Sequence, residues 1–249
     1  FSLPRLFESH DYAEVLAVYE KLHLPPLRIV LTGTGRVATG AAKNLRDIGI
    51  QQVDARTFLE KDFPYAVFTQ LQAEDYVARR DGATFDKNDF YKNGDAYLST
   101  FAPYYRRADI FINGIFYDRK APAFFTCSEM QSPDFKIKTI ADITCDLMPY
   151  SSVPCTVRAS KIADPVFGFD PATAMEVPPY GNSPVDVMAI DNLPSELPRD
   201  ASAFFGRQML GAIFPELLLG KDSPVIRRGM IAQDGKLTEA FVYLEDYVR

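Results

Sequence analysis

Leu27-Arg-Ile-Val-Leu-Thr-Gly-Thr-Gly-Arg-Val-Ala38 sets a short β-branched apolar run directly against two glycines, and residues 41–48 continue with helical patterning. The order strand, glycine turn, helix is the context in which the spacing G-x-G-x-x-A acquires meaning. Gly33 allows the tight turn, Gly35 lets backbone approach a pyrophosphate, and the small Ala38 permits close packing of helix on strand. The helix start turns free N–H groups and the positive dipole end toward an anion, and Arg36 adds a cationic donor beside them. These twelve residues therefore predict an α/β fold with a dinucleotide at the end of its first strand.

Further along, the pattern calls for a carboxylate about twenty residues past the glycines, at the end of the second strand, to accept ribose hydroxyls. If that strand is Gln51 to Asp54, the acid is Asp54; if it is Ala66 to Leu71, the acid is Glu74 or Asp75. Three more apolar runs, Asp109–Gly114, Lys138–Cys145 and Val185–Ile190, read as strands spaced by helices, hence a parallel sheet with crossover helices. Their carboxyl ends, at Asn113-Gly114, Thr144-Cys145-Asp146 and Ile190-Asp191-Asn192-Leu193, gather near one crevice. Asp142, inside a buried run, needs partners to offset its desolvation. Asp191 is read as a polar ligand contact or a cap for the following turn. Residues 81–94 are polar, punctuated by aromatics and too long for an ordinary connection, so they read as a functional or covering loop. Residues 146–184, rich in Pro and Ser, predict irregular or antiparallel edge structure.

The composition excludes several classes of function. The chain has 249 residues, with 27 Lys plus Arg against 33 Asp plus Glu and a net charge of −6. That balance argues against a nucleic-acid or anionic-membrane surface, and no apolar run is long enough to span a bilayer. Cys127, Cys145 and Cys155 form no C-x-x-C pair, which predicts reduced thiols and a cytoplasmic setting. With His10 and His23 as the only histidines, no metal site is expected. Neither histidine nor any lysine occupies an obvious strand end, so the chain reads as a cofactor site without its acid and base. Residues 11–22 predict a helix with Val15, Leu16, Tyr19 and Leu22 on one face. After Pro198, Ala203, Phe204, Met209, Leu210, Ile213, Phe214, Leu217 and Leu218 mark an apolar helical face of about five turns. A turn at Asp234-Gly235-Lys236 and a Thr238 cap predict a last helix to Tyr247.

Together these segments resemble a known family. Leu31–Ala41, Ala108–Phe116, Ala141–Asp146, Ala189–Ser202 and Ser223–Arg227 are similar, in this order, to saccharopine dehydrogenase of the lysine-forming type. They are closer still to the lysine-ketoglutarate reductase half of the bifunctional lysine-degrading enzyme, a family related to alanine dehydrogenase. Ile-Asp-Asn-Leu-Pro-Ser-Glu-Leu-Pro, residues 190–198, is the most specific part. The resemblance implies a Rossmann-type doubly wound parallel sheet whose flanking helices belong to a second, N-terminal substrate domain. On that reading residues 1–26 are a connecting segment and helix, 27–193 the NAD-binding domain, and 194–249 helices returning to the substrate domain. The family's proton-transferring Lys and His lie in that other domain, so no catalytic residue is assigned here; a chain that starts at Phe1 is expected to be a processed protein or part of a longer one.

Beside Gly33, read from the glycine motif itself, the resemblance implies cofactor contacts from Gly35, Arg36, Phe116, Ile143, Thr144, Cys145, Ile190, Asp191, Asn192 and Leu193. Two departures stand out. Fungal members carry cysteines able to pair at the positions of Val37 and Gly114, and the animal reductase half has basic residues where this chain reads Gln72-Ala73-Glu74-Asp75. Loss of those bases favours NAD over NADP and Glu74 or Asp75 over Asp54. The expected activity is oxidoreduction at the CH–NH bond of saccharopine, with a small amino-acid substrate and association through the apolar C-terminal helix, either as a homo-oligomer or with the other domain. The alternatives are a dehydrogenase for another amino acid or opine, and a non-catalytic NAD-binding module.

Overall fold

The structure is a computed structural model describing residues 3–181 and 183–248. It divides into two compact units between Glu196 and Leu197. In the first unit α1 (Tyr12–Tyr19) precedes β1 (Arg28–Thr32), α2 (Arg36–Asp47), β2 (Gln51–Gln52), α3 (Ala55–Glu60) and β3 (Val67–Leu71). Then come α4 (Ala73–Tyr76), β4 (Val77–Arg79), α5 (Lys87–Lys92), β5 (Tyr97–Ser99), α6 (Ala102–Tyr105) and β6 (Ile110–Asn113). The unit ends with α7 (Cys127–Met130), β7 (Thr139–Asp142), β8 (Val166–Asp170), β9 (Met175–Val177), β10 (Val185–Met188) and a 3-10 turn, Leu193–Glu196.

Eight of these strands form one largely parallel sheet in the order β2-β3-β1-β6-β7-β10-β8-β9. β1 lies parallel between β3 and β6, with Val30 opposite Thr69 on one side and Phe111 on the other. A strand in that position is covered on both faces, which is why Ile29, Val30, Leu31 and Thr32 are all buried and apolar residues do not alternate with polar ones. Ile29 and Leu31 pack with Ala38 and Ala42 of α2, whose i, i+4 alanines let the helix sit close to the sheet. Val30, Val67, Phe111 and Ile140 face the opposite cluster, where Phe58, Phe101, Tyr104 and Phe125 are buried.

The chain runs from β1 outward to the edge strand β2, back to β3, and then across β1 to β6, β7 and β10. β1 and β6 thus continue in opposite directions across the sheet, so a crevice opens beyond their carboxyl ends. This topology decides between the two readings of the second strand: Val67–Leu71 pairs with β1, while Gln51–Gln52 is a two-residue edge strand. Residues 146–184 supply β8, antiparallel to β10, and β9 beyond it. Three sequence expectations need correction. The run 138–145 is extended only over β7: the chain bends at Ile143 and Thr144, and Cys145 then takes a left-handed φ of 53°. Residues 81–94 are no plain loop, since they contain α5 and connect the antiparallel pair β4–β5. Thr238 makes no capping bond to the segment after it; its hydroxyl donates to the Met230 carbonyl.

The second unit holds α8 (Pro198–Gln208), a π-helical turn (Met209–Ile213), α9 (Phe214–Leu219), α10 (Pro224–Gly229), the hairpin strands β11 (Ala232–Gln233) and β12 (Lys236–Leu237), and a 3-10 stretch (Glu239–Tyr247). Pro215 has no N–H to donate to the Gly211 carbonyl, and the backbone passes through a π turn immediately before it. Ser223 caps α10, accepting from the N–H groups of Val225 and Ile226. Phe204, Phe205, Leu210 and Leu218 of the long helical run are all exposed.

Candidate functional site

The glycine turn follows from backbone constraints. Gly33 has φ 99°, a conformation that costs an L side chain, and a Cβ there would stand 2.7 Å from the Gly114 carbonyl oxygen. A Cβ on Gly114 would meet that of Ala38 at 3.1 Å. Gly33, Ala38 and Gly114 therefore interlock the starts of the segments after β1 and β6. The turn is tied down by Gly33 N–H donating to Leu71 O at 2.9 Å and by the Gln70 side-chain amide donating to Gly33 O at 2.9 Å. Gly35 differs: its φ is ordinary, and a Cβ on it would meet nothing within 4 Å. Space is kept there, directly before α2. Gly35 has no side chain to cap α2, and no hydrogen bond from a first-turn N–H to a side chain is seen among the described residues.

That open face belongs to a cavity of about 540 Å³ bordered by Gly33, Thr34, Gly35, Gln72, Glu74 and Gly114, with an aromatic wall that includes Tyr76, Phe90, Tyr91 and Phe116. Burial among these rings pushes the Tyr76 phenol up. Of the three ribose-acid candidates, Glu74 lines the cavity, with the Gln72 side-chain amide donating to its carboxylate. Asp75 is engaged as a local cap, accepting from Gln72 N–H at 2.8 Å. Asp54 caps α3, accepting from Thr57 N–H at 2.9 Å, and those bonds hold its carboxyl below the usual aspartate range.

Beyond β6 the strand ends are built differently. Asn113, Asp142, Ser152 and Thr156 are all buried. The Asn113 amide donates to Asp142 and to Ser152 Oγ, each at 2.8 Å, and the Thr156 hydroxyl donates to the other Asp142 oxygen at 2.6 Å. Thr32 Oγ1 donates to Asn113 Oδ1 at 3.2 Å, which joins the ends of β1, β6 and β7. Asp142 thus has the partners its burial demands, although desolvation still raises its pKa above the ordinary value against those bonds. Cys145 donates to Ala189 O at 3.1 Å, and burial beside Asp142 pushes its thiol up to about 11, the opposite of a thiolate nucleophile. Thr144 Oγ1 donates to Ile115 O at 3.1 Å. Ile190 is buried and bridges to Ser160, while Asp191 and Asn192 are exposed. The Asn192 carbonyl accepts from Ser195 N–H at 3.1 Å, which closes the turn into Leu193–Glu196.

The cavity therefore brings together Gly33, Gly35, Glu74 and Phe116 from the sequence-derived set. Arg36, at the first position of α2, and Asp75 are not on its lining, and Ile143, Thr144, Cys145 and Ile190–Leu193 stand at the neighbouring ends of β7 and β10. Of the lining residues, sequence reasoning named only Gly33, Gly35, Glu74 and Phe116 as contacts; among the ones it missed are Tyr76 after β3, Lys87, Phe90 and Tyr91 of α5, and Tyr117 and Phe124 after β6. For α5 the local signal was Asp86-x-x-Asp89, a helix-capping pattern with no apolar repeat behind it. Among the described residues no group of three or more His, Cys, Asp or Glu lies close enough to hold a metal ion, and no helix is long and apolar enough to cross a membrane.

Comparison with known proteins adds independent findings. Over 254 residues, 88% of the chain, it is 26% identical to mitochondrial alpha-aminoadipic semialdehyde synthase of Rattus norvegicus, of which the match spans 27%. With the alpha-aminoadipic semialdehyde synthase of Arabidopsis thaliana it shares 27% identity over 252 residues, 90% of the chain and 23% of that protein. With the NAD(+), L-lysine-forming saccharopine dehydrogenase of Neurospora crassa it shares 33% identity over 134 residues, 52% of the chain and 33% of that enzyme. The chain thus spans about a quarter of the length of the longer relatives it matches. No protein-family model matches it.

Proposed function

Starting from the chain's homology to alpha-aminoadipic semialdehyde synthase and to lysine-forming saccharopine dehydrogenase, we propose that it is the NAD-binding, Rossmann-type portion of an oxidoreductase acting on the CH–NH bond of saccharopine. One observation carries this reading: the cavity beyond β1 and β6 borders the interlocked glycine turn and the uncapped start of a twelve-residue helix. Gly33, Thr34 and Gly35 and the first N–H groups of α2 would hold the pyrophosphate, and Arg36 would add charge from the first helical turn. Glu74 would accept the ribose hydroxyls and disfavour a 2′-phosphate. The chemistry that bound NAD would supply is hydride exchange at the carbon of the secondary amine.

The residues of this chain bind and orient. Gly114, wedged against Ala38, fixes where the β6 end passes the glycine turn, and the Asn113–Asp142–Thr156 network fixes the neighbouring strand ends. No general acid or base is assigned to them. Calorimetric titration of the chain with NADH and NADPH tests the reading: saturable binding with NADH tighter supports it, and tighter NADPH or no binding of either sinks it.

A further inference from the structure

The segment between β3 and β6 leaves the sheet, pairs β4 with β5 and inserts α5 between them. α5 is only six residues long, too short to hold its place by propensity, yet it is fixed from several directions. Asp86 caps it by accepting from Asp89 N–H at 2.7 Å. The Asp89 carboxylate accepts from Tyr97 OH at 2.8 Å, from the Asn93 amide at 2.8 Å and from Arg79, which also holds Asp81 at 2.8 Å. The rings of Phe85 and Phe90 meet that of the buried Tyr97 edge-on, with centroids 6.0 Å and 5.0 Å away.

A helix anchored this way presents one face consistently. Lys87, Phe90 and Tyr91 stand at i, i+3 and i+4, the spacing that puts three side chains side by side, and all three line the cavity that also holds Gly33, Gly35 and Glu74. Phe90 serves the anchoring cluster. Tyr91 is 60% exposed, and the Lys87 ammonium lies 5.9 Å from its ring. From the glycine turn the cavity is lined by the segment after β3, with Gln72 and Glu74, and by the segment after β6, with Gly114 and Phe116, and not by the ends of β7 and β10; the β3 side is where a dinucleotide places its adenosine.

We propose that α5 is the outer wall of the adenosine compartment: Tyr91 stacks on the purine, and Lys87 supplies a positive charge to a phosphate on the adenosine ribose, opposing Glu74. This rests on the dinucleotide reading above and deepens it. The preference for NADH is then a balance between a carboxylate and an ammonium in one cavity rather than a plain exclusion of the 2′-phosphate. Exposed Tyr91 and Lys87 contribute little to the core, so their replacement leaves the fold intact.

The test uses the 249-residue chain with NADH, NADPH, 5′-AMP and 2′,5′-ADP as probes in calorimetric titrations. Tyr91→Ala is expected to weaken all four by about tenfold, the scale of one lost base stack. Lys87→Met is expected to weaken NADPH and 2′,5′-ADP by about tenfold and to change NADH and 5′-AMP by less than about twofold. Lys87→Arg should retain the 2′-phosphate binding that Lys87→Met loses. Wild-type NADH binding that neither Tyr91→Ala nor Lys87→Met alters would overturn the α5 proposal and leave the dinucleotide reading standing. Equal losses for probes with and without the 2′-phosphate in Lys87→Met would overturn the role given to Lys87. Failure of wild type to bind NADH or 5′-AMP overturns both readings together.

Discussion

The two halves of the crevice occupy equivalent places, the carboxyl ends of parallel strands in one sheet, yet they are built in opposite ways. On the β1 and β3 side the backbone is interlocked at Gly33, Ala38 and Gly114, and an aromatic cavity stays open beyond Gly35. On the β7 side the returning segment 151–156 fills the equivalent space with a buried polar network centred on Asp142. Position at a strand end therefore does not make a ligand site by itself. The chain leaving each strand decides whether space remains, because buried polar groups must be satisfied by protein wherever no ligand satisfies them.

The largest effect should come from the interlock. Gly33→Ala forces a side chain into φ 99° and within 2.7 Å of a carbonyl oxygen, so a loss of about 2–4 kcal/mol in urea unfolding is expected. Gly35→Ser sharpens the contrast. A Cβ there meets open space and the serine hydroxyl can cap α2, so stability should hold or rise slightly while NADH affinity falls about tenfold or more, as the side chain takes the room and donors of the proposed pyrophosphate site. Similar unfolding midpoints for the two variants would break the distinction between a packing glycine and an approach glycine.

Next in size is the plugged half. Thr156→Val removes the hydroxyl that donates to Asp142 and should cost about 1–3 kcal/mol. The pH dependence has a definite sign. Burial raises the Asp142 pKa above its ordinary 3.8, so its ionised form is the one folding disfavours. Its contribution is therefore most favourable below 3.8 and declines as pH rises through that value toward the raised folded one. Asp142→Asn should lose this decline, and a stability difference from wild type that does not vary with pH across the acid range would count against a raised pKa.

The smallest effects separate the acids. Asp54→Ala should cost about 1 kcal/mol through loss of the α3 cap and leave NADH affinity unchanged. Glu74→Gln should barely move stability while narrowing the preference for NADH over NADPH several-fold, as a charge facing the 2′-phosphate is removed. A loss of NADH binding in Asp54→Ala would reverse the assignment.

The glycine turn was legible because its requirements are local: a positive φ, a small residue four positions before Ala42 on the face that meets β1, and an apolar run buried on both sides. Asp142 was legible as a residue in need of partners, since burial within a strand follows from the apolar pattern, but its partners Asn113 and Thr156 come from elsewhere, the latter from a stretch with no periodicity. α5 was misread because six residues so short of apolar repeats carry no helical signal strong enough to stand out from a polar loop. It is Arg79 and Tyr97, on the strands at either side, that hold it.

By itself the sequence determined the turn at residues 33–38, which one stretch of chain records in full, and the α/β class and the relationship to the lysine enzymes, which rest on local patterns repeated in order along the chain. Only the tertiary structure decided which strand pairs with β1, which acid faces the cavity and which strand ends remain open. Those are outcomes of pairing and packing between distant segments, where Val67–Leu71 took the place beside β1 and left Gln51–Gln52 at the edge, and residues 151–156, rather than a ligand, came to satisfy Asn113 and Asp142.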